Sequence, residues 1–597
     1  MIKLSDEIIR ILELCGVRQI FTVSGGGIMH LLDSLGRSEF IRYTCNYHEQ
    51  ASAIAAEGYA RATGGLGVCL VTTGPGSTNA LSGIVGAWVD SIPVLVLSGQ
   101  VRRDLIAPPG TLRQLGPQEI DIVSMARSVT KYATTVMDPE SIGLVLERAI
   151  TEATTGRPGP AWVNIPLDVQ AATIDGSRLE AGVDLQSPQS PRELLEKVAC
   201  AWAMLCEARR PVLILGNGVH LGHAEDTLEE FLRALPCPVL LTIGAMDLVE
   251  ESHPLYQGKF GPLGQRRGNF ALQNADLLLS LGASMSVSSI GFNLKGFAPR
   301  AKRIMVNIDP KELARPTFVS DLQVEMDSGR FMAEVIRLAS GKPIQVQERW
   351  IETCRRWKQD YPVVTPDYLE DRTHVNSYMF AHELSRLLGP DDTILTGNSL
   401  DAWSVYHSFQ VKKGQRVFTN VNYGAMGWDL PATVGAALGR RGRRTILITG
   451  DGSLQFNVHE LMTIGYSGLN VKIFVQNNGG YESIRATQNN FFAGRFIGSD
   501  TSSGVANPDF AKLAGAYGLG YERISRNDEI TFKARSVLES EGPVLCELIL
   551  SPTQTRSPKA SSFRREDGTI ESKPLEDMFP FLPRDEVWRN MHLFDEE

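Results

Sequence analysis

Short apolar runs, most of them rich in Val, Ile and Leu, alternate along most of this chain with stretches whose apolar residues recur every three to four positions. Runs of roughly four to eight such residues suit strands covered on both faces, and the helical period suits the helices that cover them. The alternation predicts an α/β fold of three doubly wound, mainly parallel-sheet domains. Residues 1–175 contain strand-like Gln19 to Val23, Gly67 to Val71 and Ile92 to Leu97. A stretch rich in Gln, Ser and Pro at 186–191 marks a boundary. Residues 190–340 form a second block, with runs opening at Pro211, Ala275 and Arg303. A charged helix, Gln347 to Asp360, leads to a third block at 370–552 with strands Thr393 to Thr396, Thr445 to Thr449 and Val471 to Val475. The final stretch, 553–597, carries charge, Ser and Pro with little periodicity before Glu586 to Met591, and reads as an ordered wrap or lid.

At 597 residues the chain requires several cores, because a single core stops growing near about 250–300 residues. A 43% hydrophobic and 21% charged composition suits a globular protein. The net charge of -9, with no run of five or six Lys or Arg, argues against a nucleic-acid partner. No apolar stretch reaches the roughly 18 residues of a membrane span, and the opening Met1-Ile2-Lys3-Leu4-Ser5-Asp6-Glu7 lacks the apolar core of a signal peptide. Eight scattered cysteines without a C-x-x-C pair read as reduced thiols of a cytoplasmic protein, which sets aside a metal held through sulfur.

The chemistry concentrates in the third block. Thr449-Gly450-Asp451-Gly452-Ser453 directly follows one predicted strand, and Gln476-Asn477-Asn478-Gly479-Gly480 directly follows the next. Asn478 lies 27 residues after Asp451, and Leu454 to Ser467 reads as one helix between them. A single βαβ unit then puts both clusters at the carboxyl ends of neighbouring parallel strands, where open α/β sheets bind their ligands. A divalent cation that bridges diphosphate oxygens to a carboxylate and an amide carbonyl needs this arrangement. Either cluster alone is an ordinary tight turn. Together, at this spacing, they predict a metal-bound diphosphate.

The pair is similar to the thiamine-diphosphate motif, GDG followed by NN, and residues 3 to 552 resemble the acetohydroxyacid synthase and pyruvate oxidase superfamily. The resemblance implies a pyrimidine-binding domain at 1–175, a central domain at 190–340 and a diphosphate-binding domain at 370–552. It implies that Asp451, Asn478 and the Gly480 carbonyl hold Mg²⁺, and that Gly397, Asn398, Ser399, Gly424, Gly452, Ser453 and Tyr481 contact thiamine diphosphate. Met426, in Gly424-Ala425-Met426-Gly427, matches the bulky residue that bends the cofactor, although among small residues a Met is commonly core filler. Glu49, in Tyr47-His48-Glu49-Gln50, stands where the family's activating glutamate meets the pyrimidine ring, although an acid starting a helix is also explained by the helix dipole. Gly26 in Gly25-Gly26-Gly27, and Pro75 and Asn79 in the turn Thr73 to Asn79, would line the pyrimidine pocket. The implied reaction is decarboxylation of a 2-oxo acid, pyruvate foremost, and ligation of the acyl carbanion to a carbonyl acceptor. The implied partners are those small molecules and further copies of the chain, in a homodimer or homotetramer with active sites at subunit interfaces.

Other readings compete. A simple decarboxylase or C–C hydrolase would put a proton or water in the place of the acceptor, and acetyl transfer to a nucleotide-linked keto-sugar would use an unusual one. A non-catalytic subunit would have lost Glu49 or a metal ligand, and both are present. Gln118, in a segment like the synthase's FQEVDIV, belongs at the active-site entrance with Lys131 close by, but Pro117 replaces the phenylalanine before it. Thr487 replaces the tryptophan by which biosynthetic synthases favour a particular acceptor, and the long tail also departs from them. These differences favour an acceptor larger or less usual than a second pyruvate. His30 and His48 flank cofactor-contacting segments and are candidates to shuttle a proton, capping or packing being the alternative. Gly261 to Asn269 resembles a segment that contacts FAD, whereas Ala283-Ser284-Met285-Ser286 replaces the family's second FAD cluster, so FAD is left open as a second cofactor.

Overall fold

The computed structural model describes residues 1–175, 192–420, 422–554 and 556–595. The boundary expected at 186–191 lies outside the described residues. Three six-stranded parallel sheets organise the chain. The first contains β1 (Gln19–Thr22), β2 (Arg42–Cys45), β3 (Gly67–Val71), β4 (Val94–Gln100), β5 (Tyr132–Thr135) and β6 (Ala161–Pro166), in the order β2-β1-β3-β4-β6-β5. Every residue of β3, β4 and β6 is buried, which is why these strands read as unbroken apolar runs.

The second sheet contains β7 (Pro211–Leu215), β8 (Val239–Leu241), β9 (Tyr256–Lys259), β10 (Leu277–Leu281), β11 (Lys302–Asn307) and β12 (Leu322–Glu325), in the order β9-β8-β7-β10-β11-β12. That order has its switch point between β7 and β10, and a ligand crevice lies beyond the carboxyl ends there. The third contains β13 (Thr393–Thr396), β14 (Arg416–Phe418), β15 (Thr445–Gly450), β16 (Val471–Asn477), β17 (Gly520–Ile524) and β18 (Val544–Ile549), in the order β14-β13-β15-β16-β18-β17. The first and third sheets thus share one topology.

Those two domains join through a close helix crossing. A Cβ added to Gly58, in helix Glu49–Thr63, would lie 2.2 Å from the Ala432 carbonyl oxygen, and one added to Gly435, in helix Asp429–Gly439, would lie 1.9 Å from that of Ala55. The small residues of both helices let the backbones approach this far. Beside the crossing, buried Arg61 donates to Glu57 at 2.7 Å and to Asp90 at 2.6 Å, while the Trp428 indole donates to Glu57 at 3.0 Å. Burial pushes the Glu57 carboxyl upward even so.

Two expectations change. The helix read from Leu454 to Ser467 is two short helices, Asp451–Phe456 and Glu460–Tyr466. The break has partners of its own. Asn457 donates to the Gly427 carbonyl at 2.7 Å, and buried Glu460 accepts from Asn46 and from the Tyr47 N–H at 2.8 Å each. Tertiary contacts thus outweigh a local helical pattern. The tail holds more structure than its sequence suggested: Lys559–Ala560 pairs with Met578–Phe579, Ser562–Arg564 pairs with Ile570–Ser572, and a helix spans Arg584–Met591. It lies on the central domain, where Asn269 and Asn274 donate to the carbonyls of Leu575 and Asn590. Phe594 meets Trp350 edge-on, so the charged linker helix Glu348–Asp360 presents two buried tryptophans, 350 and 357, to this side.

Candidate active site

Two clusters form at the carboxyl ends of the first and third sheets. In the third, Asp451 opens its helix immediately after β15 and is only 2% exposed. It accepts from the N–H groups of Gly452 at 2.8 Å and Gly480 at 2.9 Å, and from the Asn507 amide at 2.6 Å. Every hydrogen bond it receives among the described residues comes from a neutral N–H group, and burial pushes its carboxyl upward. A buried carboxylate without a cation asks for one. Asn478 follows β16 at the neighbouring edge of the same pocket, and Gly480 takes φ 128, a conformation suited to glycine.

Carboxylate, amide and backbone carbonyl are hard oxygen donors of the kind Mg²⁺ prefers, and among the described residues no cluster of three His, Cys, Asp or Glu offers a rival metal site. The cradle is tight: a Cβ on Gly452 would come within 2.3 Å of the Tyr481 ring and 3.3 Å of the Met426 methyl. Asn398, Ser399, Gly424, Met426 and Ser453 line the same pocket. Asn398 donates to the Gly424 carbonyl, and the Ser399 and Ser483 hydroxyls are 2.6 Å apart. The residues present therefore fit a diphosphate with its divalent cation.

Behind Gly397 two buried carboxyls meet. A Cβ placed there would lie 2.1 Å from Asp401 Oδ2 and 3.1 Å from Asp429 Oδ2. Asp429 accepts from the Ser453 hydroxyl at 3.0 Å and from Thr449, and Ser453 accepts from the Gly427 N–H at 2.9 Å, which ties three cradle segments together. Burial and the Asp429 charge push the Asp401 carboxyl up to about 7.

The first sheet brings together Gly26, Glu49, Pro75, Asn79 and Gln118. Glu49 starts helix Glu49–Thr63 and accepts from the Asn79 amide at 3.0 Å. Gly76, in the same turn as Pro75 and Asn79, faces Glu49: a Cβ there would lie 3.2 Å from its Oε1. The Gly27 N–H donates to Thr72 at 3.1 Å, which sets the Gly25 to Gly27 turn beside that segment. Gln118 takes φ 65, unusual for its type, with its carbonyl against Gly74. None of these five residues lines the pocket around Asp451 in the same chain.

The remaining candidates lie elsewhere. His48 caps the Glu49 helix, accepting from the Gln50 N–H at 3.1 Å, and its ring stands 6.1 Å from that of His459. His30 has Lys3 and Asp33 as charged neighbours, and burial lowers its imidazole. Lys131 donates to the Thr155 carbonyl at 2.8 Å. Sequence reasoning missed Asn507, Gln476, Glu482, Asp401 and Arg556. Glu482 and Gln476 flank the second metal cluster and were legible by adjacency, whereas Asn507 and Arg556 carry no local signal.

A fold with matching first and third sheets, each holding one half of a diphosphate-cofactor site, defines a cofactor enzyme of the two-domain thiamine type. Models of the thiamine pyrophosphate enzyme N-terminal TPP-binding domain, central domain and C-terminal TPP-binding domain match residues 2–125, 198–335 and 397–548, and the chain belongs to this family, in its acetolactate synthase-like branch. It is 32% identical over 562 residues to a probable acetolactate synthase large subunit of Methanocaldococcus jannaschii, covering 92% of each chain. To the acetolactate synthase isozyme 2 large subunit of Escherichia coli strain K12 it is 33% identical over 551 residues, covering 90% of this chain and 94% of that one. A probable chloroplastic acetolactate synthase 2 of Oryza sativa is 30% identical over 565 residues.

Proposed function

We propose that the chain uses thiamine diphosphate and Mg²⁺ to decarboxylate a 2-oxo acid, pyruvate foremost, and to ligate the acyl group to a carbonyl acceptor. The observation that carries this reading is the buried Asp451 carboxylate, converging with Asn478 and Gly480 on a pocket floored by Met426. Asp451, Asn478 and the Gly480 carbonyl hold the cation, and the backbone at Asn398, Ser399, Gly452 and Ser453 receives the diphosphate. When bound, the cofactor supplies an electron sink for the bond that breaks. Glu49, held by Asn79, would exchange a proton with the pyrimidine ring, and Met426 would support the bound cofactor. As CO₂ leaves, its bonding electron pair stays with the acyl carbon and forms the new C–C bond, and the acceptor's carbonyl oxygen takes up a proton.

The pyrimidine-side residues are absent from the diphosphate pocket of their own chain, and exposed Met29, Tyr47, Leu112, Phe456 and Tyr466 lie on the two domains concerned. A second copy, supplying Glu49 to this chain's Asp451, completes the site. The crevice beyond β7 and β10, walled by Asn217, Gly218, Gly282 and Ser284, is where FAD would lie, although Gly261 to Asn269 does not line it: Gln265 donates to the His407 carbonyl at 2.5 Å and Asn269 to the tail. A flavin absorbance in the purified protein checks that second cofactor.

The chain loaded with both ligands and given pyruvate together with a panel of aldehyde, ketone and oxo-sugar acceptors should release CO₂ and form a ligated product. Acetaldehyde without any ligated product would sink the ligase reading and leave the simple decarboxylase. Glu49→Gln should slow exchange of the cofactor's C2 proton by at least about 100-fold, the scale of a lost proton-transfer partner, and an undiminished rate would contradict its role.

A further inference from the structure

Three unengaged polar groups share one wall of the diphosphate pocket. Gln476, at the end of β16, accepts from the Ser377 hydroxyl at 2.9 Å through its carbonyl oxygen, which leaves its buried Nε2 without an acceptor. Glu482, 5% exposed, has a buried Oε2 with no donor. Arg556, from the tail, lines the pocket and makes no hydrogen bond or ion pair among the described residues. Buried polar atoms are nearly always paired, and leaving one unpaired is costly. Two such atoms beside a guanidinium that makes no hydrogen bond among the described residues, on three residues that line one cavity, point to a bound molecule that completes them.

Their chemistry describes that molecule. The diphosphate cannot serve Glu482, which needs a donor, and a simple 2-oxo acid has none to give. A hydroxyl group does. Arg556 and Lys559, both from the tail, lie within electrostatic reach of Glu482, as does Arg485, and a surround this rich in cations suits a phosphate better than a singly charged carboxylate. Gln476 has a donor left for a hydroxyl or carbonyl oxygen. The start of the tail is held in place, since the Ser557 N–H donates to the Tyr378 hydroxyl at 2.8 Å and, just before the tail, Arg485 donates to the Pro552 carbonyl at 3.2 Å.

Resting on the carboligase reading above, we infer that Gln476, Glu482 and Arg556 form the acceptor subsite, and that the acceptor is a hydroxylated aldehyde or ketone carrying a phosphate ester. Arg556 binds the phosphate, Glu482 accepts from a hydroxyl, and Gln476 donates to an oxygen. These are specificity-determining residues for the second half of the reaction. They also account for a site that dispenses with the synthase tryptophan: Thr487 is exposed and donates to the Ser483 carbonyl of its own helix at 3.0 Å.

Binding can be read without turnover. The full chain, saturated with Mg²⁺ and thiamine diphosphate so that the diphosphate cradle is filled, is titrated calorimetrically with glycerol 3-phosphate, inorganic phosphate and glycerol. Glycerol 3-phosphate should bind about tenfold tighter than inorganic phosphate, and Arg556→Met should weaken both by tenfold or more. Glu482→Met should erase the advantage of the glycerol ester while leaving phosphate binding in place. Titration with a nucleoside diphosphate hexose separates a monoester from a diphosphate ester as the preferred class. Absence of glycerol 3-phosphate binding to the parent protein, or equal binding by Arg556→Met, overturns the inference. Pyruvate decarboxylation is assayed on the same sample: lost CO₂ release with intact phosphate binding would reject the carboligase reading alone.

Discussion

Asp401 and Asp429 show how much a single protonation matters beneath the cofactor cradle. Burial and the neighbouring Asp429 charge raise the folded Asp401 carboxyl to about 7, above its ordinary value of 3.8, so between those values the folded chain binds a proton that the unfolded chain has released. Stability contributed by this group therefore falls as pH rises through that window and levels off above it. Asp401→Asn, which keeps the shape without the charge, should flatten the decline: melting temperatures at pH 5 and pH 8 should differ less in the variant than in the parent. A variant that melts lower by the same margin at both values would contradict the assignment. Neither aspartate was legible as a pair in the sequence, because they lie in separate elements and meet only behind Gly397. Asp451 and Asn478 were legible as candidates, because each directly follows a strand end inside a motif whose spacing encodes its geometry, whereas Glu49 came from the family resemblance alone.

Among the elements, the crossing of helices Glu49–Thr63 and Asp429–Gly439 is the most constrained. At Gly435 even one methyl group would enter the Ala55 carbonyl, so Gly435→Ala should destabilise the chain by about 1–3 kcal/mol through overpacking. Chemical denaturation measures this, and Gly442→Ala, on an open loop with φ 79, serves for comparison as a strain without a clash. The strands were readable because burial on both faces writes itself as a continuous apolar run. The helix expected from Leu454 to Ser467 was misread because its break depends on Asn46 and Gly427, distant in sequence, and no local period can report such partners. The tail fails for the same reason. Its short paired strands and its helix are stabilised by the central domain rather than by their own propensities.

For the molecule as a whole, the decisive feature is that each chain carries both candidate halves of a site, yet Glu49, Pro75 and Asn79 do not line the pocket around Asp451 in their own chain. Glu49→Gln and Asp451→Asn should each be inactive alone. Unfolded, mixed and refolded together, they should regain about a quarter of the parent activity, because half of the dimers are mixed and each mixed dimer holds one intact pair. No regain would place both halves in one chain. The strand orders show how two such halves can exist: the first and third sheets repeat one topology and carry their candidate residues at the carboxyl ends of their strands.

The donor-only surroundings of Asp451 reach beyond catalysis. A chain that lacks its metal holds a buried carboxyl with no cation beside it, and binding of Mg²⁺ and thiamine diphosphate to the folded state alone, at about 100 times the dissociation constant, should add about 2.7 kcal/mol to stability. Thermal melts with and without both ligands test this. In a cell the same difference becomes a lifetime. Unliganded copies open more often and reach proteases sooner, so the abundance of this protein should track the thiamine supply even when its synthesis is constant.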